Sequence, residues 1–395
     1  MNQSLGGAGN NNLINISGQE SSIIDSLKIR FFYSKLFWII LAIKLIATFF
    51  AYFIYSKFTP FVDAAYYLSS CSGYCFLGSH RTTIAHILFY SLKSIFIKDL
   101  AVNIFVSFLT SYVLWYVFKR SYKFLNKSLF YSALCLPHFL IWSGVVGKDI
   151  LLIASFLLVI SSCVDLTIRN KIKFFPLMIG LIIPLIIRPQ FLLPYGYLLL
   201  ITFFLINLKN KFLDTPKNST ITLILITSFV FILFFIFWDS ISIYLLKLMK
   251  HIKFDYFLSQ TSARTTRLNI IWENTGDFIF NLWWGVPISI IGPTLHEAFI
   301  RPILFPALLE GLFSLGLFVY LIVKTIKFSI DNPKYNSFII LGFIPAVLIG
   351  LTINYPMGIF NPGSAIRYKQ TLAPLFYFYP LLLMSEIKMN NFLNR

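Results

Sequence analysis

Residues 219–238 (STITLILITSFVFILFFIFW) carry no charge. That is about the length a helix needs to cross the roughly 30 Å hydrocarbon core of a bilayer. Comparable apolar runs recur at roughly 36–55, 99–118, 128–146, 149–166, 174–187, 190–207, 302–323, 336–353 and 371–385. In hydrocarbon, only helices and closed barrels satisfy their own backbone polar groups. The runs are continuously apolar and do not alternate, which points to helices. Only 12% of residues are charged and 57% are hydrophobic, against about 25% charged in soluble domains. The expectation is an all-α, polytopic transmembrane helical bundle of about ten spans.

The net charge of +18 does not point to nucleic acid. Its Lys and Arg residues gather in short segments between apolar runs, at 28–35, 119–127 (KRSYKFLNK), 169–173 (RNKIK), 209–217, 324–334 and the C-terminal tail. With ten spans, all of these fall on one side, which the positive-inside rule makes the cytoplasm, together with both termini. The alternation requires that 82–97 (TTIAHILFYSLKSIFI) not cross, so it is expected to lie in the interface as an amphipathic helix. Residues 1–27, polar and rich in Gly, Asn and Ser, read as a disordered cytoplasmic tail. Residues 28–395 read as a single transmembrane domain with outer loops at 56–98, 239–301 and 354–369. Four cysteines give no disulfide framework, although Cys71 and Cys75 could pair. His80, His86, His138, His251 and His296 show no paired-ligand spacing, so no metal site is expected.

The outer loops collect the residues that could carry chemistry. Asp63, in FTPFVDAAYYL, could be a general base for an acceptor hydroxyl or the N-cap of a short helix. Lys148, in GVVGKD, could hold a phosphate, or it could snorkel and pair with Asp149. Arg188 stands between apolar sequence and Pro189, costly unless it meets an anion, and guanidinium suits phosphate. The long loop carries Arg264, Arg267, Glu273, Glu297 and Arg301 among aromatic residues, a mixture suited to a sugar and its phosphate. Trp283 and Trp284 in the same loop read as interfacial belt residues. Arg367 and Lys369, in NPGSAIRYK, sit on the outer side against the positive-inside rule, which suggests a bound anion.

A first span, an outer-loop Asp in Asp63-Ala-Ala-Tyr66-Tyr67, and two interfacial stretches ending in 80–97 resemble the GT-C superfamily of membrane glycosyltransferases. The second half resembles bacterial polysaccharide-assembly proteins of the O-antigen polymerase type, on Trp142-Ser143, Gly147-Lys148-Asp149, Arg188-Pro189 and Asn361-Pro-Gly363 followed by Arg367-Tyr368. The first likeness implies that Asp63 deprotonates the acceptor; where many members carry an acidic pair, Asp63 stands alone. Both likenesses imply a polyprenyl-linked sugar donor, a glycan or lipid acceptor, and a bacterial inner membrane location. The implied phosphate ligands are Lys148, Arg188, Arg264, Arg267, Arg301 and Arg367. The implied sugar contacts are His80, Arg81, Glu273, Glu297 and Tyr368. No Walker loop or glycine-rich fingerprint is present, which favours a lipid-linked sugar donor over a nucleotide sugar. Two other classes stay open: a glycolipid flippase, for which internal repeats and mid-membrane charges would be expected, and an acyl transferase built on His138.

Overall fold

The computed structural model describes residues 34–58, 62–69, 80–208, 216–252, 266–267, 269–270 and 272–394. All regular structure among them is helical. Among the described residues, six helices are long and apolar enough to cross a membrane: Lys35–Phe58, Asp99–Phe118, Lys148–Arg169, Pro189–Asn207, Pro302–Asp331 and Pro333–Phe360. The chain is thus a multi-pass helical membrane protein. The expected tail at 1–27, Cys71, Cys75 and Arg264 lie outside the described residues.

The expected ten spans reduce to six helices that qualify individually. Phe174–Ile187 is apolar but short. The stretch 128–146 is two helices, Lys127–Leu134 and Pro137–Trp142, parted because proline lacks an N–H and disfavours helical geometry in the residue before it. The broken pair still runs antiparallel to Asp99–Phe118. At one end the Phe118 and Phe130 rings lie 4.9 Å apart; at the other, Val146 N donates to Asn103 Oδ1 at 2.8 Å.

The expected outer loops are largely helical as well. Residues 56–98 hold Val62–Leu68 and His80–Phe96. Residues 239–301 include Trp238–Lys250, Thr275–Phe280, Leu282–Ile291 and Leu295–Ile300. The expected loop 354–369 is the end of Ile344–Phe360 followed, after Asn361 alone, by Pro362–Ala373. Asn361 starts that helix by accepting from Ser364 N at 3.0 Å, with Pro362 at the first helical position.

The expected last span, 371–385, is the middle of a helical run over 362–393, with a wider π turn at Pro374–Phe378. This run is buried on all faces through most of its length, the signature of a helix enclosed by its own protein. Neighbours close on it with aromatic rings: Phe318 on Phe376 at 4.7 Å, Phe139 on Phe378 at 5.1 Å and Phe343 on Tyr379 at 5.3 Å. Tyr195 OH donates to Thr371 O at 3.0 Å while its ring stacks on Phe156 at 3.8 Å.

Two groups of charges mark the ends of this bundle, apart from the buried Lys44, held mid-span by Ser143, and the Glu310–His138 pair. The Lys148–Arg169 helix, at 1.5 Å per residue, is roughly 33 Å long, close to the hydrocarbon thickness. At its far end Arg169 pairs with Asp165 and with Glu386, and Lys173 reaches Asp165 at 2.7 Å. Ser385 Oγ donates to Ser121 Oγ at 3.0 Å and Asn391 Nδ2 to Asn332 Oδ1 at 3.1 Å. The basic segments 119–127, 169–173 and 324–334 thus meet the C-terminal helix at one end. Asp63, Lys148, Arg188 and Arg367 meet at the other.

Close backbone approach packs the helices beside the central run. A Cβ on Gly311 would stand 1.9 Å from the Ile291 carbonyl oxygen, whereas one on Gly316 would meet nothing within 4 Å. Gly311→Ala should therefore destabilise the protein by about 1–3 kcal/mol, the usual cost of overpacking, and Gly316→Ala should not. Thermal unfolding of the purified protein in detergent checks this; equal midpoints for both variants would refute the packing account.

Candidate functional site

Asp149 begins the site. It sits in the first turn of Lys148–Arg169, where a carboxylate suits the positive end of the helix dipole. Its side chain is 1% exposed. A buried carboxylate is tolerated only with charge-bearing partners, and each oxygen has its own. Oδ1 accepts from Arg188 Nη1 at 2.5 Å, and Oδ2 accepts from Arg367 Nε at 2.5 Å. The pairing of Asp149 with adjacent Lys148, open in the sequence, is not the one formed. Lys148 Nζ turns instead to Thr82 Oγ1, 2.7 Å away on the His80–Phe96 helix.

Local sequence explains how these groups arrive. Pro189 keeps Arg188 out of helical geometry (φ −149°, ψ 77°), so the residue leaves the end of Phe174–Ile187 and turns inward to Asp149. Arg367 and Tyr368 sit in the second turn of the helix that Asn361 caps. Both guanidinium groups face the Tyr368 ring, Arg188 at 4.5 Å and Arg367 at 5.9 Å. Arg367 also lies 4.9 Å from the Trp142 ring. Aromatic faces of this kind attract cations at no cost in charge.

Asp63 closes the group. It lies within the first turn of Val62–Leu68, not ahead of that helix as a cap. Its Oδ2 is 2.6 Å from Arg367 Nη2, and its side chain stays 45% exposed. The contact is an ion pair without hydrogen-bond alignment, since Arg367 Nη2 has no aligned acceptor. Three cations (Lys148, Arg188, Arg367) thus face two carboxylates (Asp63, Asp149), leaving the site one positive charge in excess. Arg188 makes one of its five possible hydrogen bonds among the described residues. This arrangement can bind an anion with several unused N–H groups, beside an exposed carboxylate able to take a proton.

The other residues read from sequence as ligands are placed differently. Arg267 has every donor engaged. Nε and Nη2 hold Glu297 at 2.7 Å each, Nη2 also reaches Gly292 O at 2.7 Å, and Nη1 reaches Ile359 O at 2.9 Å and Gly358 O at 3.2 Å. No N–H remains for a phosphate, so its assignment as a phosphate ligand is corrected to a structural one. Glu297, expected to touch sugar, is the partner of Arg267 and also completes a capping box, accepting from Thr294 N at 2.7 Å. Burial would raise its carboxyl, but the bonds from Arg267 and Thr294 outweigh this and hold it below the ordinary glutamate value.

Arg301 is exposed and lines an open cleft of about 810 Å³ with Arg267, Trp284, His296 and Pro362. Trp283 is 73% exposed. Glu273 is exposed beside Thr275–Phe280, its backbone N donating to Asp277 Oδ2 at 2.7 Å. His80 and Arg81 begin the His80–Phe96 helix. Lys369, two residues past Arg367, is buried with Nζ donating to Ile290 O at 2.9 Å. His138 gives both its backbone N–H and its ring to Glu310, which thereby caps the Pro137–Trp142 helix from another segment.

Asp149, Tyr67 and Trp142 were not singled out as site residues from sequence. An acid entering an apolar helix is itself a signal, but adjacent Lys148 offers Asp149 a simpler partner. No protein-family model matches the chain, and neither a curated protein nor a solved structure matches it.

Asp149→Asn leaves two buried guanidinium groups without their shared counter-ion. It should lower stability by about 3–5 kcal/mol, the cost of breaking a buried pair from one side. Thermal unfolding reads this, and a midpoint equal to that of wild type would sink the central role given to Asp149.

Proposed function

We propose that this protein is a membrane glycosyltransferase that moves a sugar from a polyprenyl-phosphate-linked donor to a glycan or lipid acceptor on the extracytoplasmic face of a bacterial inner membrane. The observation that carries the proposal is the meeting of Asp63, Lys148, Arg188 and Arg367 at one end of the bundle, from four distant parts of the chain. The basic segments gather at the opposite end, and the positive-inside rule makes that end cytoplasmic. Exposed Leu185 and Ile186 just before Arg188 give a lipid-facing approach for a polyprenyl tail.

In this reading the donor phosphate lies against the unused N–H groups of Arg188 and against Lys148. It displaces Asp63 from Arg367, which frees the Asp63 carboxylate. The acceptor oxygen attacks the anomeric carbon and gives its proton to Asp63. The bond from that carbon to the phosphate oxygen breaks, and its electron pair leaves with the polyprenyl phosphate. The guanidinium groups stabilise the departing oxyanion. Asp63 then returns its proton to solvent. Two adjacent guanidinium groups suit a pyrophosphate equally, which favours an O-antigen-type polymerase as the second reading. The charges of this site lie at helix ends, and the buried mid-span Lys44 is held by Ser143 O and Oγ at 2.7 Å within the protein, which favours an enzyme over a flippase.

Asp63→Asn should lower sugar transfer by about 10²–10⁴-fold, the usual contribution of a general base, with the protein still inserted in the membrane. The measurement is the glycan profile of cells dependent on this chain, and full synthesis by the variant would overturn the assignment. In a cysteine-free background, Tyr66→Cys should react with an impermeant thiol reagent from outside and Lys171→Cys only after the membrane is opened. The reverse pattern would put the site on the cytoplasmic side.

A further inference from the structure

One side chain at this site has no role in the scheme above. Tyr67 follows Asp63 by one helical turn, so the two share a face of Val62–Leu68. Its ring is buried among Ala64, Leu68, Ala85 and Phe89, with the Phe89 ring centroid 5.9 Å away. Yet its hydroxyl makes no hydrogen bond among the described residues, and it is not among the sealed polar atoms that lack a partner. A buried tyrosine normally finds a partner for its O–H. Here the ring is fixed by packing and the residue is 3% exposed, while the hydroxyl has no hydrogen-bond partner among the described residues. The charges of Asp63, Arg367, Arg188 and Asp149 all act on that oxygen.

We propose that the Tyr67 hydroxyl is a substrate contact of this site, a neutral O–H donor to a phosphate ester oxygen of the ligand. Burial first, then the neighbouring Asp63 carboxylate, pushes its ionisation well above the ordinary tyrosine range, so the proton stays in place to be donated. A neutral donor adds something that the three cations do not. It discriminates an oxygen by direction, because a phenol O–H on a packed ring swings only about its C–O bond, whereas a lysine ammonium acts as a point charge. Directed at the oxygen that leaves the sugar, it strengthens as negative charge develops there.

The inference rests on the phosphate-binding part of the proposed function. Its test measures binding with no sugar present, so the two can fail separately. The purified full-length protein in detergent is titrated with farnesyl monophosphate and, separately, with inorganic phosphate. Wild type, Tyr67→Phe and Tyr66→Phe are compared. Tyr66 is exposed and rests against His86, so its variant controls for loss of a nearby hydroxyl. Tyr67→Phe keeps the ring and its packing, and its unfolding midpoint should match wild type. Its affinity for the phosphate ligand should fall about 10- to 100-fold, the range for a hydrogen bond to a charged group; Tyr66→Phe should bind as wild type does. Tighter binding of farnesyl phosphate than of inorganic phosphate identifies a lipid headgroup; equal binding identifies free phosphate. Wild-type affinity in Tyr67→Phe overturns the Tyr67 contact alone. Failure of wild type to bind either probe overturns both this contact and the phosphate site beneath it.

Discussion

A carboxylate cannot be withdrawn from water without charge around it, and Asp149 is withdrawn completely. The requirement decides much else at this end of the bundle. Two guanidinium groups from separate segments must converge on it, one at the proline-broken end of Phe174–Ile187 and one in the helix capped by Asn361. Once fixed, those groups need aromatic faces, which Tyr368 and Trp142 provide. Arg367 then reaches past Asp149 to Asp63 and draws the short Val62–Leu68 helix onto the bundle. One buried negative charge thus organises four elements scattered over more than half of the sequence.

The central run 362–393 supplies the complementary constraint. A helix enclosed on every side cannot shift without disturbing all its neighbours, because interiors are close-packed and tolerate little change in volume. Aromatic side chains from the surrounding spans interdigitate around Phe376, Phe378 and Tyr379. Arg367 emerges from the first turns of this immobile element. The site therefore combines a rigid wall carrying Arg367 and Tyr368 with a short peripheral helix carrying Asp63 and Tyr67.

Much of the helical framework is legible in the sequence, since a charge-free run states its own solvent. Asp99–Phe118 is delimited to the residue by its apolar run. The gathering of basic segments at one end also follows from their spacing. The breaks were harder. Pro137 divides an apolar run that composition alone reads as one span, and the capped turn at Asn361 reads as a loop by polarity although Asn-Pro is a helix-start signal. Among the site residues, Arg188 and Arg367 declared themselves because each is expensive where it stands. Arg267 declared itself by the same logic and led elsewhere. Its partner Glu297 belongs to a Thr-x-x-Glu capping box that the sequence spells out, so the structural role could have been anticipated. Tyr67 carries no signal in a chain with 21 tyrosines; only the packing of its ring and the freedom of its hydroxyl set it apart.

The Arg267 corner has a mechanical meaning of its own. One flat cation joins the end of Ile344–Phe360, the turn at Gly292 and the start of Leu295–Ile300. With no N–H in reserve, it cannot swivel toward a newcomer without releasing two segments of backbone at once. It behaves as a rivet: the pieces it joins either travel together or come apart together.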